Sequence, residues 1–122
     1  MTKAEALHSF MSSFGIPAYP NQAEADAAFP YLVYEQTIGS IDNGAMPIVI
    51  NLWYYGDSLL PIVSKSEEIS KAIGLGGVYV PCNGGAILIQ RGTPFSQPQT
   101  DAVDDKIKGR YINITAEFLT QD

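Results

Sequence analysis

His8 is the only histidine in the chain, and Ser9, Ser12 and Ser13 lie close to it. A nucleophilic serine needs an imidazole base and an acid that orients that base. Nothing near His8 sets up such a hydroxyl, and no carboxylate or cysteine cluster is spaced to share a metal with it. The imidazole reads as structural or solvated. Cys82 stands after Pro81 and before Asn83-Gly84. A reactive thiolate needs a base or a positive field, and none is near it in sequence, so Cys82 reads as a structural thiol. Asp101, Asp104 and Asp105 are the nearest approach to a carboxylate cluster. Such groups can do acid–base work or hold a hard cation, but the spacing is not that of a calcium loop. A solvated acidic loop is the reading, with a weak divalent-cation contact as the alternative. Gly74-Leu75-Gly76-Gly77 has the look of a phosphate cradle but fails the dinucleotide pattern, because Tyr79 stands three residues after Gly76. It also leads into a strand, where a phosphate loop should open a helix. The expectation is a protein without catalytic residues, metal or cofactor.

Composition narrows the partners. The 122 residues carry a net charge of −6, with 46% hydrophobic and only 16% charged residues, against about 25% charged in an average domain. Seven scattered basic residues make no stripe that could track phosphates, so sequence-specific nucleic-acid binding is not expected. With one cysteine there is no intramolecular disulfide and no cysteine metal cage. No apolar run approaches the roughly 20 residues of a membrane span. Residues 1–14 lack a basic segment followed by an apolar block, so no signal peptide is expected. The chain reads as one soluble cytosolic domain over residues 1–122.

The elements that must position these groups centre on Phe29 to Tyr55. Aromatic and β-branched residues at this density suit a pleated surface, predicting strands over Tyr31–Ile38 and Met46–Tyr55 with Asn43-Gly44 in the hairpin turn. Before them, Thr2 and Glu5 form a capping box, and Ala4, Leu7, Met11 and Phe14 make a helical apolar stripe that Phe10 widens. Gly15 and Pro17 end that helix, and residues 15–28 read as a surface connector. A second helix is predicted from an Ser64 cap with Glu67 to about Ile73, burying Ile69, Ala72 and Ile73. Residues 76–92 read as a second hairpin, residues 93–108 as a mobile polar loop, and Arg110–Thr120 as an alternating final strand. The fold expected is α+β: two layers, an antiparallel sheet of about five strands (two hairpins plus a C-terminal strand) against two helices.

Taken in order, the chain resembles the small tail terminator (tail completion) proteins of long-tailed bacteriophages and prophages. The likeness rests on Phe14-Gly15-Ile16-Pro17-Ala18-Tyr19 closing the first helix and Phe29-Pro30-Tyr31-Leu32-Val33-Tyr34 opening the first strand. Trp53 follows near the end of the second. A helix then leads into Gly76-Gly77, a strand ends at Arg91-Gly92-Thr93-Pro94-Phe95, and Phe118 lies in the last strand. The resemblance implies a non-enzymatic virion protein that forms a ring, usually of six subunits, on the tail tube. Its partners would be its own copies, the major tail tube protein and a head-completion or connector protein, at the head–tail interface of the virion. DNA would pass the lumen without base-specific contact, and no membrane is involved. From physical character alone, Tyr31, Tyr34, Trp53, Tyr54, Tyr55, Ile41, Asp42 and Phe95 are the expected interface residues. Asp101, Asp104 and Asp105 are expected to face the lumen or tube. The hairpin tip from Gly39 to Ala45 and the loop over 93–108 are expected to order on docking. A head-side connector or stopper, and a small-ligand-binding domain, are the alternatives.

Overall fold

A computed structural model describes residues 1–100 and 104–121. Helix α1 (Lys3–Ser12) is followed by strands β1 (Ala18–Pro20) and β2 (Tyr31–Tyr34). After a 3-10 turn at Ile41–Asn43 come β3 (Ala45–Tyr55), helix α2 (Leu60–Ile73), β4 (Val78–Cys82), β5 (Gly85–Thr100) and β6 (Ile107–Thr120). The strands form one six-stranded sheet in the order β1-β2-β3-β6-β5-β4. All pairs are antiparallel except β1 with β2. The expected α+β architecture is present, with six strands where about five were expected. The extra strand, β1, lies within the connector. Three residues, preceded by Pro17 and ending in Pro20, carry no periodic signal, and the pairing of Ala18 with Leu32 sets them in place.

The core lies between the inner sheet face and the two helices. Along β6 the buried residues are Ile112, Ile114, Ala116 and Phe118, the face that alternation selects. Opposite them in register stand Ile48 and Ile50 of β3, with Leu32 and Leu52 beside them. Ala6, Leu7 and Met11 of α1, Phe14 beyond it, and Ile62, Ile69 and Ile73 of α2 close the layer. Burying one such Leu or Ile side chain contributes about 1.5–3 kcal/mol. The Thr2–Glu5 capping box forms as expected: Glu5 N donates to Thr2 Oγ1 at 3.1 Å, and Thr2 N donates to Glu5 Oε1 at 2.9 Å.

Several boundaries differ from the sequence reading. Helix α2 begins at Leu60, not after Ser64, and Ser64 is an exposed residue inside it. Pro61 sits in the first turn, where its missing N–H leaves no helical bond unmade. Ser58 Oγ accepts from Leu60 N at 3.1 Å. Ala72 is exposed rather than buried, because the inward line runs Ile62, Ser66, Ile69, Ile73. The first strand stops at Tyr34, since Gln36 N turns away to donate to Asn21 Oδ1 at 2.9 Å. Asn43-Gly44 is not a two-residue hairpin turn. Asn43 instead closes the 3-10 turn, its Oδ1 accepting from Ser40 N at 2.8 Å.

The largest correction concerns residues 93–108. Most of this stretch is the far half of β5 and the start of β6, paired from Ser96↔Ile112 to Thr100↔Lys108 beyond an irregularity between Arg91 and Ser96. β4 ends its pairing at Val78↔Ile89, so the far half of β5 has a partner on one side only. That free side is where prolines such as Pro98 are tolerated in a sheet.

Candidate interaction face

Alternation that buries the even-numbered residues of β2, β3 and β6 turns the odd ones outward. Tyr31, Val33, Val49, Asn51, Trp53, Tyr55, Tyr111, Asn113, Thr115 and Glu117 therefore share the outer face. Glu117 is the one charged side chain among these outward positions. The rings collect at the end where Tyr55 pairs with Ile107. Phe29 sits 5.4 Å from Tyr31 and 5.7 Å from Tyr55, centroid to centroid, and Tyr19 meets Tyr31 edge-on at 5.9 Å. Tyr55 remains 56% exposed, Phe29 38% and Tyr111 37%. A groove of about 520 Å3 runs between Ala28-Phe29-Pro30 and Tyr54-Tyr55. Aromatic rings combined with few charges are the composition of a protein-contact surface.

The structure divides the expected interface residues. Tyr31, Trp53 and Tyr55 stand together on the outer face. Tyr34 is 1% exposed and belongs to the core. Tyr54 points inward and packs against that core, while also lining the groove. Burial raises the Tyr54 phenol above its ordinary value, and the Glu68 carboxylate adds to the rise. Phe95 is half-buried in the β5 irregularity and packs on the core. Ile41 and Asp42 are exposed in the 3-10 turn, beside the opposite end of β3. Eleven residues of extended chain put the two ends roughly 35 Å apart. Asp101 lies outside the described residues. Asp104 is half-buried and closes the β5–β6 turn, its Oδ1 accepting from Lys106 N at 2.9 Å. Asp105 is exposed, and its carbonyl accepts from Lys108 Nζ. Sequence reasoning missed Phe29 and Tyr19 as members of the ring cluster. Phe29 precedes the strand, so no alternation pattern reports on it.

Two polar groups lie elsewhere. Ser66, buried on α2, donates to Ser96 Oγ at 3.0 Å, and Arg110 Nε donates to the same oxygen. One turn further along, Arg91 Nη1 donates to Ser70 Oγ at 3.0 Å. These bonds tie α2 to the sheet through a polar seam. His8 Nδ1 and the Tyr34 hydroxyl stand 3.0 Å apart, and Ser12 Oγ lies 3.3 Å from Nε2. Both ring nitrogens are engaged, but the group beyond Nδ1 is a phenol, not the carboxylate that would stabilise an imidazolium. Burial raises the Tyr34 phenol above its ordinary value, which keeps it protonated. The arrangement anchors α1 to β2. Cys82 is half-buried at the end of β4 and packs on the core. Among the described residues, no three His, Cys, Asp or Glu side chains are grouped to hold a metal ion. Among the same residues, no helix is long and apolar enough to cross a membrane.

A scan against protein-family models finds no match, and a search of curated proteins finds none either.

Proposed function

We propose that this chain is a virion structural protein without catalytic turnover. As a ring of copies it caps the tail tube of a long-tailed bacteriophage, ends tube elongation and presents the surface that joins the head. The observation that carries this reading is the outer sheet face, which gathers Tyr19 and Phe29 beside Tyr31, Trp53 and Tyr55 and also carries Tyr111, with a single carboxylate among its outward positions. A face of that composition suits burial against other protein. The sequence resemblance to tail terminators supplies the partner: copies of the chain, the tube protein on one side and a head-completion protein on the other. The net charge of −6 suits a passage through which DNA slides, because a wall poor in cations does not retain phosphates.

The test is tube capping. Purified protein is added to tail tube protein as it polymerises, and tube lengths are measured by electron microscopy. Tubes shortened in proportion to added protein, each ending in a ring of extra density, support the reading. Unchanged lengths with no density at either end overturn it.

A further inference from the structure

The inward line of β6 ends on two cations. Ile112, Ile114, Ala116 and Phe118 are buried, and the same alternation carried back toward the start of the strand puts Arg110 and Lys108 on the helix side of the sheet. Both are half-buried. What surrounds them follows from how α2 crosses the sheet. Ser70 meets Arg91 and Ser66 meets Ser96, so the helix runs back along β5 and its first residues approach Pro98, the register partner of Arg110. The sheet outruns the helix there, since α2 begins at Leu60. A cavity of about 460 Å3 opens at that place, with Arg110 and Lys108 on one wall and Leu59, Pro98 and Ile107 on the others. Its size falls in the range of small-ligand sites, about 300–1,000 Å3.

Arg110 is held but not neutralised. Its Nε donates to Ser96 Oγ, which also accepts from the buried Ser66. That bond fixes one side of the guanidinium and leaves its Nη groups to the cavity. Among the described residues, no carboxylate pairs with Arg110 or with Lys108, whose Nζ donates to the Asp105 carbonyl. A half-buried charge costs stability until an opposite charge meets it. Two carboxylates do stand at the rim. Asp57 faces Lys106 Nζ at 3.9 Å, and Asp105 is exposed. Both disfavour a dianion such as phosphate, so a single negative charge fits better. The paired N–H groups of a guanidinium match the two oxygens of a carboxylate.

We propose that this cavity binds a carboxylate borne on a compact apolar group. The carboxylate meets Arg110, with Lys108 beside it, and Leu59, Pro98 and Ile107 take the apolar body. A free branched acid and the last residue of an apolar-ended peptide share that chemistry. The site lies on the helix side of the sheet, away from the aromatic outer face, and does not depend on tube capping.

The experiment titrates the isotope-labelled full chain with N-acetyl-leucine, its neutral isostere N-acetyl-leucinamide, isovalerate and inorganic phosphate, followed by amide chemical shifts. N-acetyl-leucine should shift Leu59, Gly109 and Arg110 saturably and bind about ten-fold or more tighter than the leucinamide, the usual worth of a hydrogen bond to a charged group. Isovalerate binding as tightly as N-acetyl-leucine supports the site and assigns it to a free acid. Isovalerate binding more weakly supports the site and assigns it to a chain terminus. Arg110→Gln should lower the affinity about ten-fold or more with circular dichroism unchanged, and Arg110→Lys, which keeps the charge without the paired N–H groups, should recover only part of it. The comparison of acid with amide on the unaltered chain decides the matter even where a variant folds poorly. Equal binding of acid and amide, shifts that cluster elsewhere, or shifts that do not saturate overturn the site. Phosphate binding more tightly than N-acetyl-leucine overturns the carboxylate assignment.

Discussion

Trp53 lies across Gly109. The two are cross-strand partners in the β3–β6 ladder, and a Cβ built on Gly109 would meet Trp53 Cζ3 at 2.7 Å and the Gln99 carbonyl oxygen at 3.0 Å. The absent side chain is what lets the indole settle against the β6 backbone, with Tyr31 as its neighbour on β2 and Gln99 beyond on β5. Gly109→Ala should therefore push the indole away. The expected loss is about 1–3 kcal/mol, the usual range for overpacking, with a shift in tryptophan fluorescence. Trp53→Ala in the same chain should recover part of that loss, since contacting residues are not additive. Urea denaturation of the two single variants and the double variant checks this.

The outer rings and the inner aliphatics should separate function from stability. Leu52→Ala removes a fully buried side chain and should cost about 2–5 kcal/mol. Tyr55→Ala removes an exposed ring and should change stability by no more than about 0.5 kcal/mol. The tube-capping assay should rank them the other way, with the folded Tyr55→Ala protein failing to shorten tubes. Thermal melts beside tube-length distributions decide the matter.

Ser66 is buried and donates to the same Ser96 oxygen that receives Arg110. Ser66→Ala removes one bond of that seam without opening a large void. The expected cost is about 1 kcal/mol. Arg91→Met breaks the separate bond to Ser70. If the two bonds act independently, the double variant should lose the sum. A larger combined loss in denaturant titrations would show that they hold α2 as one unit.

The α1 cap gives the fold a local pH response. Hydrogen bonds from the Thr2 backbone and side chain hold the Glu5 carboxyl below its ordinary value. A carboxyl depressed by folding adds stability above its unfolded pKa and loses it as pH falls through the folded one. The first turn should therefore be fully capped above about pH 4.5, the ordinary value for Glu, and should open on further acidification. Glu5→Gln should abolish that pH dependence. Amide hydrogen exchange at Ala6 and Leu7, followed from pH 6 to pH 3, reports both outcomes.

The legible parts of the fold were those with a periodic signal. The alternation from Ile112 to Phe118 picked out the core face of β6, and the Thr2–Glu5 spacing placed the start of α1. The illegible parts were set by distant pairing. Nothing local in Ala18-Tyr19-Pro20 announces a strand, because β2 makes it one. Pro94 and Pro98 read as loop residues, yet one-sided pairing beyond Arg91 lets the chain continue as β5. Ser64 and Glu67 matched a capping box, but the apolar line from Ile62 to Ile73 outweighed it and drew α2 back to Leu60. The candidate face was legible in half. Composition marked Tyr31, Trp53 and Tyr55. It could not separate them from Tyr34 and Tyr54, since parity decides that and the strand limits were not yet fixed. Phe29 and Tyr19 join the ring cluster through tertiary placement alone.

Both outer borders of the sheet contain a proline, Pro20 in β1 and Pro81 in β4. A proline has no N–H to offer an arriving strand. At those two positions the margin has no N–H to bond, so a strand arriving there would find its ladder interrupted. Where the ladder stops at a proline, side chains are what the margin leaves for a neighbour to read.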